Sequence, residues 1–228
     1  MKMNKKLRRI LLTVCSAALL VCVTVGATVA YLTSTDKVEN TFTVGQVKIK
    51  LDEAKANADG TLVENANRVQ ANSYKLLPGH TYTKDPTVHV TAGSEDCWLF
   101  VKVENGISAF EAEKVQATDQ DGKPSVDEQN NPVYAYLPIA DQILANGWTA
   151  LDGVAGVYYK QYSSQKSAKD EVVFENFKIA DGAQDVSGWS SIDANTTKVT
   201  INAYAVQKDG FDTADAAWTA TFGKPEGE

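Results

Sequence analysis

The stretch CWLFVKVE, residues 97–104, decides the fold class, because it is the strongest β-strand pattern in the chain. Alternate residues of a strand point to opposite faces of its sheet. One face carries four apolar residues: Cys97, Leu99, Val101 and Val103. Trp98 and Phe100 lie on the other face. Apolar residues on both faces predict a central strand that is covered on both sides.

Shorter segments with the same period of two surround this strand. The pattern predicts strands at residues 87–91, 157–162, 171–179 and 198–207. In residues 38–44 the apolar side chains occupy even positions, whereas Val47, Ile49 and Leu51 occupy odd ones. A change of parity at Gly45 predicts a β-bulge or a break between two strands there.

Two polar stretches and two short helical patterns complete the domain. Residues 52–73 and 111–132 are predicted insertions, the first with a short hairpin around Asp59 and Gly60. Residues 141–146 predict one helical turn, and Asp212 is the predicted N-cap of a short helix that packs on the sheets. Because strands and helices do not alternate, the sequence predicts an all-β, antiparallel β-sandwich over residues 45–228.

The N-terminus has the three parts of a secretory signal peptide. Residues 1–9 carry five basic groups, and residues 10–35 carry no charge and are mostly apolar. Small residues favour cleavage after Ala27 or Ala30, so residues 1–30 are the predicted signal helix and residues 31–44 the first mature segment. The alternative is an uncleaved anchor, because a charge-free run of this length is long enough to span a bilayer.

Composition excludes several classes of function. The 228 residues include 22 basic and 29 acidic ones, which gives a net charge of −7. Without residues 1–30, 17 basic and 29 acidic residues remain, and the net charge is −12. Such an acidic protein lacks the positive surface that nucleic-acid binding requires. Of three cysteines only Cys97 lies beyond the signal, so no internal disulfide is expected in the mature chain.

The sequence contains no recognisable catalytic or metal-binding pattern. His80 and His89 lie in a predicted turn and strand and do not form a recognisable ligand pair. Cys97 lies on an apolar strand face and is interpreted as a small buried hydrophobe. The loop beginning at Asp119 lacks the later ligands of a calcium loop. Four residues are interpreted as acidic surface groups: Asp52, Glu53, Asp127 and Glu128. Their positions in the sequence do not fix a distance between carboxyl groups, so no acid–base pair is predicted from them. No cofactor, metal site or catalytic residue is predicted.

A series of motifs in a fixed order gives the chain its family resemblance. They are AYLT at 30–33, NTFTVG at 40–45, LPG at 77–79, TKDPTV at 83–88, WLFVKV at 98–103, AYAVQKDGF at 203–211 and AW at 217–218. Together with the attached signal, this order resembles the TasA/camelysin (CalY) family of secreted proteins from Gram-positive bacteria. The motifs extend over nearly the whole mature chain.

The resemblance implies a jelly-roll-like β-sandwich, a SipW-type signal peptidase as processing partner and a role in the biofilm matrix or at the cell surface. It also implies head-to-tail fibres, in which the segment freed by cleavage completes a sheet of the next subunit. In this chain the donor maps to residues 31–44, which begin at Tyr31, with Val38, Phe42 and Val44 as the inserted side chains. The alternative is that this segment pairs within its own domain as an edge strand.

Three functions therefore stand as hypotheses. The leading one is a secreted structural protein that forms fibres with copies of itself, and with other matrix proteins as candidate partners. The second is a monomeric adhesin or binding module of the cell envelope. The third is a camelysin-like metalloprotease, for which this sequence lacks a recognisable zinc signature. Contact with a membrane is expected only through the signal segment before cleavage, and no nucleic-acid partner is expected.

Overall fold

A computed structural model of the chain describes residues 46–163, 167–193 and 197–223. All of them belong to one compact unit, Val38–Glu228. The elements, in chain order, are β1 (Ile49–Asp52), β2 (Thr81–Thr83), β3 (Thr87–Val90), β4 (Cys97–Asn105), β5 (Val115–Gln116), β6 (Tyr134–Tyr136), α1 (Ile139–Ala145), β7 (Thr149–Ala150), β8 (Val157–Tyr162), β9 (Lys169–Val172), β10 (Asn176–Lys178), β11 (Val199–Gln207) and α2 (Ala214–Phe222).

The described chain is mostly β-structure, and every strand pairing in it is antiparallel. One sheet has four strands in the order β11-β4-β8-β7, and a second has three in the order β1-β3-β9. Two smaller pairs, β10-β2 and β5-β6, accompany them. Because β strands dominate and only two short α-helices occur in the described residues, the all-β prediction is confirmed.

Strand β4 is the centre of the four-stranded sheet, as its sequence predicts. It pairs with β11 along its whole length and with β8 over its first six residues. Its odd-numbered side chains enter a core with Val88 and Val90 of β3, whereas Trp98 and Phe100 pack against α2. Burial on both faces explains why this strand has no polar residue before Lys102.

The predicted strand at residues 171–179 is wrong as a single element, because the structure divides it into β9 and β10. The partner strands β2 and β3 are separated by Lys84, Asp85 and Pro86, and proline cannot donate a ladder hydrogen bond. Backbone bonds still cross the interruption, from the Val173 N–H to the Pro86 carbonyl at 2.8 Å and from the Lys84 N–H to the Glu175 carbonyl at 3.1 Å. The register is therefore retained through the break.

Both predicted helices exist, with different boundaries. The first begins at Ile139, ahead of the predicted residue 141, and buries Ile139 and Ile143. The N-cap of α2 is Thr213 and not Asp212, because the Thr213 hydroxyl accepts a hydrogen bond from the Ala216 N–H at 3.2 Å. No helix among the described residues is long and apolar enough to cross a bilayer.

Each polar insertion contains tight turns. In the first, the N–H groups of Asn57 and Gly60 close a tight turn, which confirms the predicted hairpin around Asp59 and Gly60. In the second, β5 pairs with β6, and the Oδ1 atoms of Asp119 and Asp127 each accept two backbone N–H bonds. The two turns lie eight residues apart, so this insertion contains a short internal repeat.

Candidate functional site: the outer edge of β11

Strand β11 is an edge strand of the four-stranded sheet, and its outward backbone groups are unpaired in the described part of the chain. The Gly106 N–H donates to the Lys198 carbonyl at 2.8 Å, which fixes the phase of the β4–β11 ladder. Even-numbered residues of β11 therefore bond to β4. The odd-numbered residues direct their N–H and C=O groups away from it: Val199, Ile201, Ala203, Ala205 and Gln207.

The composition of this edge favours pairing with another strand. The sequence VTINAYAVQ holds no charge, no proline and no glycine over nine residues. Natural proteins protect open edges with charges, prolines, bulges or short strands. The β11 edge has none of these devices, so it presents a long and regular template for an added strand.

Partly exposed apolar side chains lie beside this edge. Val199, Ile201 and Ala203 pack against the main core but are only partly buried. Ile49 and Leu51 of β1 are also partly buried and pack against the same core. Strand β1 lies close to β11, but no backbone ladder joins the two strands. We call this region, defined by these five residues, the open side.

Strand β1 offers a shorter and better protected edge on the open side. The Thr91 N–H donates to the Lys48 carbonyl, so the outward backbone groups of β1 belong to Ile49 and Leu51. At the next outward position Glu53 already exchanges two backbone bonds with Val69, at 2.8 and 2.7 Å. Lys48, directly before this strand, and Lys50 within it also place charge there. An added strand is therefore accommodated better by β11.

The opposite edge, formed by β9 and β10, is closed by side chains. The Gln142 amide donates to the Asn176 carbonyl at 2.8 Å and accepts the Glu175 N–H at 3.0 Å. The Trp148 indole N–H donates to the Val172 carbonyl at 2.8 Å. Helix α1 and the residues after it thus bond to backbone groups of Val172, Glu175 and Asn176, and so cover this part of the edge.

An ionic cluster on β1, β3 and β9 holds β1 in place. The Asp52 carboxylate accepts hydrogen bonds from Lys50 at 2.7 Å, from His89 Nε2 at 2.8 Å and from the Arg68 Nε–H. Burial alone raises the pKa of Asp52, but these three donors outweigh burial and hold that pKa well below its usual value. Arg68 also donates to Asp85, and so anchors the first insertion to the sheet.

His89 lies between two carboxylates. Its Nε2 is 2.8 Å from Asp52 Oδ1, and its Nδ1 is 2.6 Å from Asp170 Oδ1. Ionised carboxylates only accept, so both contacts are hydrogen bonds only when both ring nitrogens carry protons. Burial alone lowers the pKa of His89. The hydrogen bonds to Asp170 and Asp52 raise this pKa by more than burial lowers it, so the net shift is upward. The imidazolium form therefore joins all three strands of this sheet.

Two residues interpreted from sequence as acidic surface groups are buried instead. Asp52 is 4% exposed and Glu53 is 3% exposed, whereas Asp127 and Glu128 are exposed. Glu53 forms an ion pair with Lys84 and also accepts from the Asn72 amide at 2.9 Å. The prediction was wrong for Asp52 and Glu53 because their cationic partners, Arg68 and Lys84, are distant in sequence.

The predicted cleavage, donor and bulge residues all lie outside the part of the chain that the structure describes. The cleavage residues Ala27 and Ala30 lie outside the described residues. The same holds for the donor residues and for the bulge residue: Tyr31, Val38, Phe42, Val44 and Gly45.

Cys97 is fully buried, as the strand pattern predicts. Burial, with a smaller effect from Asp96, raises the pKa of its thiol to about 12, which makes it a poor nucleophile. His80 contacts the Pro78 carbonyl oxygen and His89 binds Asp52, so the two histidines do not converge. Within residues 46–163, 167–193 and 197–223, no group of three His, Cys, Asp or Glu side chains is positioned to hold a metal ion.

Comparisons of the chain with family models, with curated proteins and with solved structures return no match in any of the three. The proposed function therefore rests on the sequence and on the geometry of the described residues.

Proposed function

We propose that the chain is the precursor of a secreted structural protein of the extracellular matrix or cell surface, whose subunits assemble into fibres by β-strand addition. The donor is the segment 31–44 of one subunit, and the acceptor is the outer edge of β11 in the next. The observation that carries this proposal is the nine-residue, uncharged edge of β11, which is unpaired within the described part of the chain.

Strand addition suits both partners chemically. Main-chain hydrogen bonds between the donor and β11 supply affinity, and alternate side chains set the register. In residues 38–44 the apolar side chains repeat with a period of two, so Val38, Phe42 and Val44 share one face. On that face they cover the partly exposed Ile201 and its neighbours on the open side. Because donor and acceptor are different surfaces, the contact is heterologous and propagates into a fibre.

Export is supported by the N-terminal sequence. Five basic residues precede a charge-free, apolar run, as in secretory signals. Removal of this segment after Ala27 or Ala30 by a SipW-type signal peptidase frees the donor. The resemblance to the TasA/camelysin family also favours a jelly-roll arrangement of the two larger sheets, and the β-rich, antiparallel structure is compatible with it.

The test compares mature protein with a variant that lacks residues 31–44. Electron microscopy and sedimentation are expected to show fibres for the first and monomers for the second. Adding a synthetic peptide of residues 38–44 to the truncated protein is expected to give a stable one-to-one complex that does not polymerise. Fibres from the truncated protein would contradict the proposal, and a monomeric mature protein at high concentration would favour the adhesin hypothesis.

A matched peptide controls for composition. Exchanging Phe42 with Thr41 and Val44 with Thr43 keeps the composition and moves two apolar side chains to the other face of the strand. This peptide is expected to bind at least tenfold more weakly, because a shift of one residue exposes the side chains that should be buried. Equal binding of both peptides would refute strand addition in the proposed register.

A further inference from the structure

Three polar side chains meet under the first insertion: Glu53, Asn72 and Lys84. Glu53 and Lys84 are buried, with 3% and 8% of their surface exposed, and Asn72 is half-buried. The two oxygens of the Glu53 carboxylate have different partners. Oε2 accepts from Lys84 Nζ, and Oε1 accepts from Asn72 Nδ2 at 2.9 Å. One carboxylate therefore holds an amine and a carboxamide side by side.

The Asn72 carboxamide is polarised for attack at its carbonyl carbon. Its Oδ1 accepts the Ala56 N–H at 2.9 Å, so a backbone donor already points at the oxygen that gains charge in acyl transfer. Its Nδ2 donates to Glu53 and also to the Ala54 carbonyl at 2.8 Å. The nitrogen that would leave is therefore in contact with a proton-carrying group.

Lys84 is held beside this amide by the local structure. It directly follows β2, and its own N–H donates to the Glu175 carbonyl at 3.1 Å. The Tyr74 hydroxyl, two residues after Asn72, donates to the Thr83 carbonyl at 2.7 Å. The segments that carry Asn72 and Lys84 are thus joined next to one another.

An aromatic cluster adjoins the buried Glu53 through Tyr74, whereas Asn72 keeps part of its surface exposed. Tyr74, Tyr82 and Phe177 form a tight aromatic cluster, with ring centroids 5.0 to 5.7 Å apart. Burial, with a further contribution from the charge of Glu53, raises the pKa of the Tyr74 hydroxyl. Holding both charges of the Glu53–Lys84 ion pair away from water in such a setting is costly.

We propose that Lys84 and Asn72 form an intramolecular amide cross-link, with Glu53 as the catalytic proton carrier. Nζ of Lys84 attacks Cγ of Asn72, the Nζ–Cγ bond forms and the Cγ–Nδ2 bond breaks. Glu53 takes two protons from the Lys84 ammonium in turn, one before the attack and one from the tetrahedral intermediate, and delivers both to Nδ2, which leaves as ammonium. Atoms and charge balance without an oxidant, a metal or a cofactor. Holding both reactants on one carboxylate replaces a bimolecular encounter by an intramolecular step.

A second buried pair in the same chain provides an internal comparison. Lys160 and Glu171 form an ion pair with side-chain exposures of 16% and 9%. The other partner of Glu171 in the described residues is Lys169, so no carboxamide shares its carboxylate. The reaction is therefore specific to the first pair. A cross-link there would fasten the first insertion covalently to the sheet, in a chain whose only cysteine beyond residue 30 is Cys97.

Peptide mapping of the folded wild-type protein decides the matter. Without the link, trypsin releases peptides 69–75, 76–84 and 85–102. With the link, Lys84 is no longer a cleavage site, and peptide 69–75 is recovered joined to peptide 76–102, lighter than their sum by one ammonia. Recovery of free, unmodified peptide 69–75 from protein aged in native buffer would overturn the proposal. Loss of ammonia with cleavage at Lys84 intact would also overturn it, because that result indicates a succinimide at Asn72.

Variants separate chemistry from folding. Lys84→Arg and Glu53→Gln are expected to retain the mass that their sequences predict, because one lacks the nucleophile and the other the proton carrier. Lys160→Arg removes the comparison lysine and is expected to leave the joined peptide in place. Joined peptides from Glu53→Gln at the wild-type rate would exclude Glu53 as the catalytic group. The wild-type map alone remains decisive if a variant fails to fold.

Discussion

Replacing His89 by alanine is expected to destabilise the protein in a strongly pH-dependent way. Charge-assisted hydrogen bonds contribute about 1.5–3 kcal/mol when buried. The bond to Asp52 qualifies, because that side chain is only 3% exposed. Asp170 is 68% exposed, so its bond adds about 0.2–1 kcal/mol. We therefore expect the His89→Ala substitution to cost about 2 kcal/mol near pH 5.5, at which a free histidine is mostly protonated.

The sign of the pH dependence follows from the raised pKa of His89. The folded state binds the imidazolium proton more tightly than the unfolded state, so the contribution is complete below the unfolded pKa of about 6.5. It decreases as the pH rises through the higher pKa of the folded state. Asp52 acts in the opposite direction, because its lowered pKa gives a contribution that is lost in acid. Stability is therefore expected to be greatest between these two transitions.

Urea unfolding of the wild type and of His89→Ala at a series of pH values measures this effect. The difference between the two free energies of unfolding is expected to shrink from about 2 kcal/mol near pH 5.5 to less than about 1 kcal/mol near pH 9. His80→Ala is the control, because the His80 ring bonds to the uncharged Pro78 carbonyl and lies 6.5 Å from the Tyr82 ring. A difference that is independent of pH, or one that grows with pH, would refute the doubly protonated His89.

Three further perturbations test the sheets and the core. Ala203→Pro removes an N–H of β11 that points away from β4, and is expected to reduce fibre formation at least tenfold while the monomer stays folded. Asn202→Pro removes an N–H that bonds to β4, and is expected to unfold the monomer. Equal effects of the two variants in sedimentation and circular dichroism would contradict the assignment of outward and inward N–H groups. Trp218→Ala is expected to cost about 3–5 kcal/mol in urea unfolding, because this ring packs against Phe100 at 5.2 Å in the layer beneath α2; a loss below about 1 kcal/mol would show that the layer is not a core. Cys97 is expected to react with a thiol reagent only at the rate of unfolding, and rapid labelling of the native protein would contradict its burial.

Several elements could be predicted from the sequence because local pattern determines them. The continuous apolar run of β4 predicts its burial on both faces, and the alternation of β11 predicts its two faces. Helix α2 buries Ala214, Ala217 and Trp218, which lie at helical spacing in the sequence. The division of residues 171–179 could not be predicted, because its cause, Pro86, lies between the two partner strands β2 and β3. The burial of Asp52 and Glu53 could not be predicted either, because their ion pairs with Arg68 and Lys84 join residues distant in sequence and leave no periodic pattern.

The open side could be identified only from the structure. The alternation of β11 indicates two faces, but it does not indicate that β11 is an edge strand or which of its N–H groups point outward. The pairing with β4 supplies the first fact, and the Gly106–Lys198 bond supplies the second. The closure of the opposite edge by Gln142 and Trp148 likewise depends on contacts between segments about 25 to 35 residues apart.

Residue-resolved hydrogen exchange of β11 tests the central proposal most directly. In monomers that lack residues 31–44, the amides of Ile201 and Ala203 are expected to exchange rapidly, because they point away from β4. The amides of Asn202 and Tyr204, which bond to β4, are expected to exchange slowly in monomers and fibres alike. If strand addition occurs at β11, assembly of the mature protein slows exchange at Ile201 and Ala203 by at least tenfold. Unchanged exchange at these two amides in fibres would contradict the account.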